Sequence, residues 1–260
     1  MTILDELADY ARVRTAQAKE KISAEEMEKR ARALPKGEPV FENALRKDGL
    51  SYICEVKKAS PSKGLIATDF PYLSIAKEYE AAGADAISVL TEPRWFLGSN
   101  DYLQEITAAV QTPCLRKDFT IDPYMIYEAK NLGASAVLLI CAILSETELT
   151  QYRALAEDLG LSAIVETHDE KEIEMALSAG AKIIGVNNRN LKDFSVDTGN
   201  SKRLRELVPQ DVVFISESGV KGKEDIERLR EIGVDAVLVG ESLMRSVDKK
   251  ALLAEWRKQG

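Results

Sequence analysis

Three observations predict an α/β fold, a (β/α)8 TIM barrel preceded by an N-terminal helical extension. The first is internal repetition: AGADAISVL (82–90), LGASAVLLI (132–140), LGLSAIVE (159–166), AGAKIIGVN (179–187) and IGVDAVLVG (232–240) each set a glycine before a short β-branched run. Their glycines, Gly83, Gly133, Gly160, Gly180 and Gly233, are 50, 27, 20 and 53 residues apart, so two gaps are about double the others. A unit of roughly 25 residues with two disguised members follows. TPCLRKDF (112–119) and PQDVVFISES (209–218) stand where those members belong, with proline in place of glycine. The second observation is the helical spacing of apolar residues between the strands, in DFPYLSIAKEYEAAG, TIDPYMIYEAKNLG, SETELTQYRALAEDLG and DEKEIEMALSAG. Several of these open with Asp, Ser or Thr and close on Gly. The third is YICEVKK (52–58), which brings the strands to eight. A right-handed series of eight such units closes into a barrel of ~250 residues. An open doubly wound sheet is the runner-up, but the units are near-uniform and no G-x-G-x-x-G turn is present.

Taken in order, residues 1–48 stand outside the repeat. LDELADYARVRTAQAKEKISAEEMEKRARALP is charged, helical in pattern, and stops near Pro35 and Gly37. Such a segment either plugs the bottom of the barrel or covers its mouth, and periodicity does not choose. Residues 49–260 form the barrel, a single catalytic domain whose chemistry belongs at the carboxyl ends of the strands. Strand one ends in Glu55 and Lys57. Period two puts both on one face, and if Cys54 and Val56 face the helices, the charge pair faces the barrel interior. Strand two ends at Thr91 and Glu92, strand three at Lys117, strand four at Cys141 and strand five at Glu166. Strand six ends in Asn187, Asn188 and Arg189, strand seven in Ser216, Glu217 and Ser218, strand eight in Gly240. A single charged strand end is commonly just solvated, but convergence from most strands supplies the partners that buried charges need. Glu217 and Ser218 are adjacent, so one of them must lie beyond the last regular strand pair.

His168, the only histidine, reads as a helix-entry residue before DEKEIEMAL rather than as an acid or base. Proton transfer then falls to Lys and Glu, and a lysine crowded by Lys57, Lys58 or another cation would give up its proton readily. The loops SGVKG (218–222) and GESLMRS (240–246) suit a phosphate. Glycine lets backbone N–H groups approach an anion, and a short helix after Gly240 would aim its N-terminus there.

Composition limits the partners. Formal net charge is −8 with no basic tail or arginine-rich run, which argues against nucleic acid or an anionic membrane. MTILDELADYARVR lacks the apolar core of a signal peptide, and no apolar run reaches membrane-spanning length. Cys54, Cys114 and Cys141 are odd in number, lack CxxC spacing and lie in apolar segments, as reduced core residues do. A cytoplasmic protein acting on an anionic small molecule is expected.

In family order, EVKKASPSKG, LRKDF, IVETH, GVNNRNL, ISESGV and LVGESLM resemble the motifs of indole-3-glycerol-phosphate synthase, the tryptophan-pathway carboxy-lyase, along nearly the whole chain. The resemblance implies ring closure of 1-(2-carboxyphenylamino)-1-deoxyribulose 5-phosphate with loss of CO2 and water, by a monomer that needs no metal or organic cofactor. It makes Lys117 the general acid at the ketone oxygen. Lys57 binds the anthranilate carboxylate and helps dehydration, and Glu55 anchors Lys57 and takes part in proton transfer. Glu166 supports Lys117 or serves as acid/base. Asn187, Glu217 and Ser218 orient the sugar hydroxyls and anilino nitrogen. Ser60 and the backbones of Gly219 and Gly240 hold the phosphate. Phe96, Phe119 and Leu191 sandwich the aromatic ring, and Arg189 completes the wall. It also implies that the N-terminal helices cover the mouth. Glu241 departs from the small polar residue that many relatives carry. Its side chain would repel a phosphate unless turned away, so only its backbone is expected there.

The residue types suit this chemistry independently, since a ketone must gain a proton and the substrate carries two anions. A Schiff-base aldolase acting on a sugar phosphate is the competing enzyme class, and borohydride would then trap Lys57 or Lys117. A related isomerase would have no use for two lysines beside a carboxylate. A barrel kept only as a binding module would have lost its strand-end charges.

Overall fold

The computed structural model describes residues 2–190 and 194–258, so the expectation for Leu191 lies outside the described residues. Among those described, eight parallel strands close into a barrel in the order 1-8-7-6-5-4-3-2. They are β1 (Ser51–Val56), β2 (Ala86–Leu90), β3 (Cys114–Lys117), β4 (Ala136–Ile140), β5 (Ser162–Thr167), β6 (Ile183–Asn187), β7 (Val213–Glu217) and β8 (Ala236–Val239). Closure pairs the first strand with the last, Cys54 opposite Val239, while Ile53 lies opposite Ala86 on the other side. A two-stranded antiparallel ribbon, Ala59–Ser60 with Gly64–Leu65, follows β1 and overhangs the mouth.

Alternation divides each strand between two cores. Tyr52, Cys54, Val56, Ile87, Val89 and Val137 pack outward against the helices, and Ile53, Leu115, Leu138, Ile164 and Ile215 fill the interior. The surrounding helices are α4 (Tyr72–Ala81), α5 (Asn100–Ala109), α6 (Pro123–Asn131), α7 (Glu146–Asp158), α8 (Glu170–Ser178), α9 (Gly199–Arg205), α10 (Lys223–Glu231), α11 (Glu241–Arg245) and α12 (Lys249–Arg257). Asp122, Ser145 and Asp169 accept from backbone N–H groups in the first turns of α6, α7 and α8, satisfying donors that a helix start leaves open. The repeat glycines share one conformation, φ +72 to +84°, just past the ends of α4, α6, α7, α8 and α10. That left-handed turn ends a helix and feeds the next strand. Before β3 and β7 the chain instead leaves its helix through Val110 and Glu206, so those repeats lack the glycine.

The N-terminal segment divides between the two ends of the barrel. In α1 (Ile3–Lys21), Ile3, Leu4 and Leu7 line the cavity at the carboxyl ends of the strands. A Thr2–Asp5 capping box starts this helix. Next, α2 (Ala24–Ala33) packs along α6. In α3 (Val40–Leu45), Phe41 and Leu45 enter the interior core beside Ala86, Ala136, Ile183, Val213 and Ala236, the first inward residues of their strands. The Glu42 N–H donates to Ser162 Oγ at 3.2 Å, fixing α3 at the bottom. Within residues 1–48, α1 thus lies at the carboxyl ends of the strands and α3 at the opposite end.

Candidate active site

The parity that places Ile53, Leu115, Ile164 and Ile215 inside also delivers, two residues later, Glu55, Lys117, Glu166 and Glu217. Glu55, Glu166 and Glu217 are 2–3% exposed. They meet at the floor of a cavity of about 620 Å³ open at the strand carboxyl ends. Lys117 Nζ lies between two of them, 2.9 Å from Glu166 Oε2 and 3.1 Å from Glu217 Oε2. Lys57 Nζ is 2.7 Å from Glu55 Oε1, and Ser88 Oγ donates to Glu55 Oε2 at 3.3 Å. Glycines make room for this layer. A Cβ at Gly240 would stand 2.6 Å from Glu55 Oε1 and 3.0 Å from Lys57 Nζ, and one at Gly185 would collide with Glu217 Oε1.

Three buried carboxylates share two lysines, and their environments separate them. Burial opposes ionisation of Glu166, but Lys117 and His168 outweigh it, with help from the Asn187 amide at 3.3 Å, and hold this carboxyl well below the usual range. Burial raises Glu217 to about 7, because Lys117 offsets it only in part while Glu166 and Glu55 add to it. Its Oε1 has no hydrogen-bond partner among the described residues. The expectation of a lysine with weakened proton affinity is corrected at Lys117. Burial does work in that direction, yet Glu166, Glu217 and Glu55 overcome it and raise the pKa. The crowding read from adjacent Lys57 and Lys58 does not arise, since Lys58 Nζ sits 6.0 Å over the Phe70 ring.

Ser218 has φ +67° and lies past the end of β7, which resolves the parity conflict with Glu217. Its Oγ donates to Asn187 Oδ1 at 3.0 Å, and the same oxygen accepts the Arg189 N–H. Phe96 and Phe119, ring centroids 6.0 Å apart, line the cavity, as does Arg189 from the loop after β6. Ser60, Gly219 and Gly240, from the loops after β1, β7 and β8, also line it, together with Lys63, Lys221 and Arg245. Arg245 Nε at 3.2 Å and Lys63 Nζ at 3.6 Å pair with Glu241 Oε1. Among the described residues, no group of three or more His, Cys, Asp or Glu side chains is placed to hold a metal ion.

Several strand-end residues do not face the cavity. Asn188 and Ser216 point outward and bond each other at 3.0 Å. Asn188 also donates to the Ser218 carbonyl, so this pair supports the site from behind. Thr91 donates to Asp118 at 2.5 Å, and Cys141 Sγ lies against the Glu172 carbonyl. Glu92 is fully buried and accepts the backbone N–H groups of Arg94, Trp95 and Phe96, shaping the loop that presents Phe96. Sequence reasoning missed Leu138 and Ile140 on the floor and the three apolar residues of α1. It also missed buried Asp118, which Arg14 of α1 reaches at 2.7 Å. Parity within β4 could have found the first two; nothing local signals the Arg14–Asp118 pair.

Comparison with known proteins agrees on a single family. Residues 4–256 match the family model described as indole-3-glycerol phosphate synthase. Proteins of that name from Ruminiclostridium cellulolyticum and Lacticaseibacillus paracasei are 55% and 53% identical, over 98% and 99% of each chain. Another, from Endomicrobium trichonymphae, is 56% identical over 94% of this chain and 95% of its own. Among solved structures, 3-hexulose-6-phosphate synthase from Salmonella typhimurium superposes with TM-score 0.66 at 13% identity, covering 80% of this chain and 96% of its own. Thiamine phosphate pyrophosphorylase from Pyrococcus furiosus gives 0.61 at 16%, covering 83% and 95%. At such identities the likeness concerns the barrel alone.

Proposed function

Because the chain belongs to the indole-3-glycerol phosphate synthase family, a carboxy-lyase family of tryptophan biosynthesis, we propose that the side chains gathered around Lys117 carry out its ring closure. The observation that carries this reading is the Lys117 ammonium wedged between Glu166 and Glu217, with the Glu55–Lys57 pair on the same floor. The ring carbon bearing the carboxylate attacks the ketone carbon, and Lys117 gives its proton to the ketone oxygen. A raised pKa keeps this acid loaded at neutral pH, and the alkoxide that forms is basic enough to take the proton. The bond to the carboxyl carbon then breaks, CO2 leaves, and its electron pair restores the aromatic ring. Water departs last: the new hydroxyl leaves with a proton from Lys57, while Glu55 takes one from the carbon beside the nitrogen.

Lys57 first holds the substrate carboxylate, and loss of CO2 frees it for that second step. Glu166, firmly ionised, orients Lys117. Glu217, half-protonated near pH 7, can donate to or accept from the sugar hydroxyls and anilino nitrogen, with Asn187 and Ser218 beside it. Phe96 and Phe119 pack the aromatic ring against Arg189. Ser60 and the N–H groups of Gly219 and Gly240 hold the phosphate among Lys63, Lys221 and Arg245. The first helix covers the mouth, and its Ile3, Leu4 and Leu7 exclude water. A monomer in the cytoplasm fits the reduced cysteines and net charge of −8; that charge disfavours nucleic acid.

The deciding experiment mixes the chain with the ribulotide substrate and follows indole fluorescence. Product should appear, and no signal at micromolar enzyme overturns the reading. Borohydride added during turnover should label neither Lys57 nor Lys117.

A further inference from the structure

His168 is the only histidine in the chain, and its position joins two networks. It follows Thr167 at the end of β5 and shares the inward parity of Ile164 and Glu166. The ring is four-fifths buried, its side chain 20% exposed. Nδ1 is 3.0 Å from Glu172 Oε2 on α8, and that oxygen also accepts the backbone N–H of His168 at 2.7 Å. Nε2 has no hydrogen-bond partner among the described residues and stands 3.5 Å from Glu166 Oε1. Glu217 from β7 also acts on the ring, and the Asn200 amide of α9 donates to the His168 backbone carbonyl at 3.1 Å.

A neutral imidazole carries one proton and leaves the other nitrogen with a bare lone pair. With the proton on Nδ1, the Nε2 lone pair faces Glu166; with it on Nε2, the Nδ1 lone pair faces Glu172. Either tautomer sets a lone pair against a carboxylate oxygen. The imidazolium alone presents N–H to both. Glu166 Oε1 already accepts from the neutral Asn187 amide, so a cationic partner beside it at Oε1 leaves Oε2 for Lys117. We propose that His168, as an imidazolium clamped between Glu172 and Glu166, is a positioning residue that holds Glu166 ionised and aimed at Lys117. Charges then alternate from the barrel surface to the reacting centre: Glu172, His168, Glu166, Lys117. The direction of the ring's proton affinity agrees: burial acts against the charge, but the Glu172 hydrogen bond and Glu166 outweigh it and raise the pKa. The stability this charge contributes is complete below about pH 6.5, the ordinary histidine value, and is lost as pH rises through the higher folded pKa.

The kinetic part rests on the synthase reading; the titration does not. With a single histidine, NMR of the full chain reports one ring. Both nitrogens should be protonated at pH 7, the ring should titrate above about 6.5, and Glu166→Gln and Glu172→Gln should each lower that value. A ring titrating at its ordinary value and indifferent to both substitutions overturns the proposal. In turnover, His168→Gln should lower kcat about ten- to hundredfold with little change in KM, the scale of a displaced catalytic group. It should also lose the alkaline fall in kcat that deprotonation of the ring imposes. Wild-type kcat and pH profile in a variant that melts normally overturn it equally. Failure of the synthase reading looks different: the wild type would not turn over, whereas the ring titration would stand.

Discussion

At the bottom of the barrel, Phe41 and Leu45 of α3 fill the cross-section with hydrocarbon. At the top, Glu55, Lys57, Lys117, Glu166 and Glu217 occupy the corresponding layer with charge. The charged layer comes from β1, β3, β5 and β7 near their carboxyl ends, whereas α3 packs on the first inward residues of β2, β4, β6, β7 and β8. Closing the bottom with apolar side chains stabilises the fold. Gathering ionised groups in the top layer works against it, because each loses hydration that its partners only partly replace. The two ends should therefore respond oppositely to substitution: stability should be lost at the bottom, and turnover at the top.

The largest expected effect tests the bottom. Phe41→Ala should cost about 3–5 kcal/mol of stability, read by chemical denaturation, with kcat unchanged where the variant is still folded. A loss of kcat beyond the loss of folded protein would break the division between the ends. Next, Lys117→Ala should lower kcat by at least about two orders of magnitude, the usual scale of general acid catalysis; a nearly normal rate would remove Lys117 from the acid role.

Glu217→Gln probes the strain of the top layer through pH. The folded carboxyl keeps its proton up to about 7, whereas the unfolded one releases it near 4.5. Between those values the folded state binds more protons, so this group's contribution to stability falls as pH rises. Wild type should lose about 3 kcal/mol relative to Glu217→Gln between pH 4.5 and 8, and parallel curves would refute the assignment. The smallest effect belongs to the cover. Arg14→Met cuts the tie from α1 to Asp118, beside Lys117, and should raise KM about three- to tenfold with kcat nearly constant, the pattern of lost uniform binding. Deleting residues 1–48 would remove cover and plug together; deleting residues 1–21 separates them.

The architecture was legible because each glycine-marked strand begins after the left-handed turn that ends a helix, so backbone geometry leaves a periodic trace. Glu55 and Lys57 were legible as an inward pair from parity alone. The plug was not, because α3 has six residues, too few for a periodic signal. The crowding of one lysine by another is not borne out at Lys57 and Lys58, and adjacency in sequence is a poor guide to it. Lys57 and Lys58 are adjacent along the chain but point opposite ways, while the glutamates that govern Lys117 come from three other strands. His168 was read as a helix-entry residue, and its backbone N–H does bond Glu172 in the first turn of α8. Its second face, toward Glu166, depends on barrel curvature that no local pattern encodes.

The pairing of Cys54 with Val239 also sets a timetable for synthesis. About 180 residues separate these partners, which at the ~5–20 residues per second of translation is roughly 10–40 s. Throughout that interval β1 has left the ribosome with one hydrogen-bonding edge vacant. Such an edge invites pairing with a neighbouring nascent chain, and inward-pointing charges are among the features that discourage it. Glu55 and Lys57 stand at the end of that waiting strand long before any substrate reaches them.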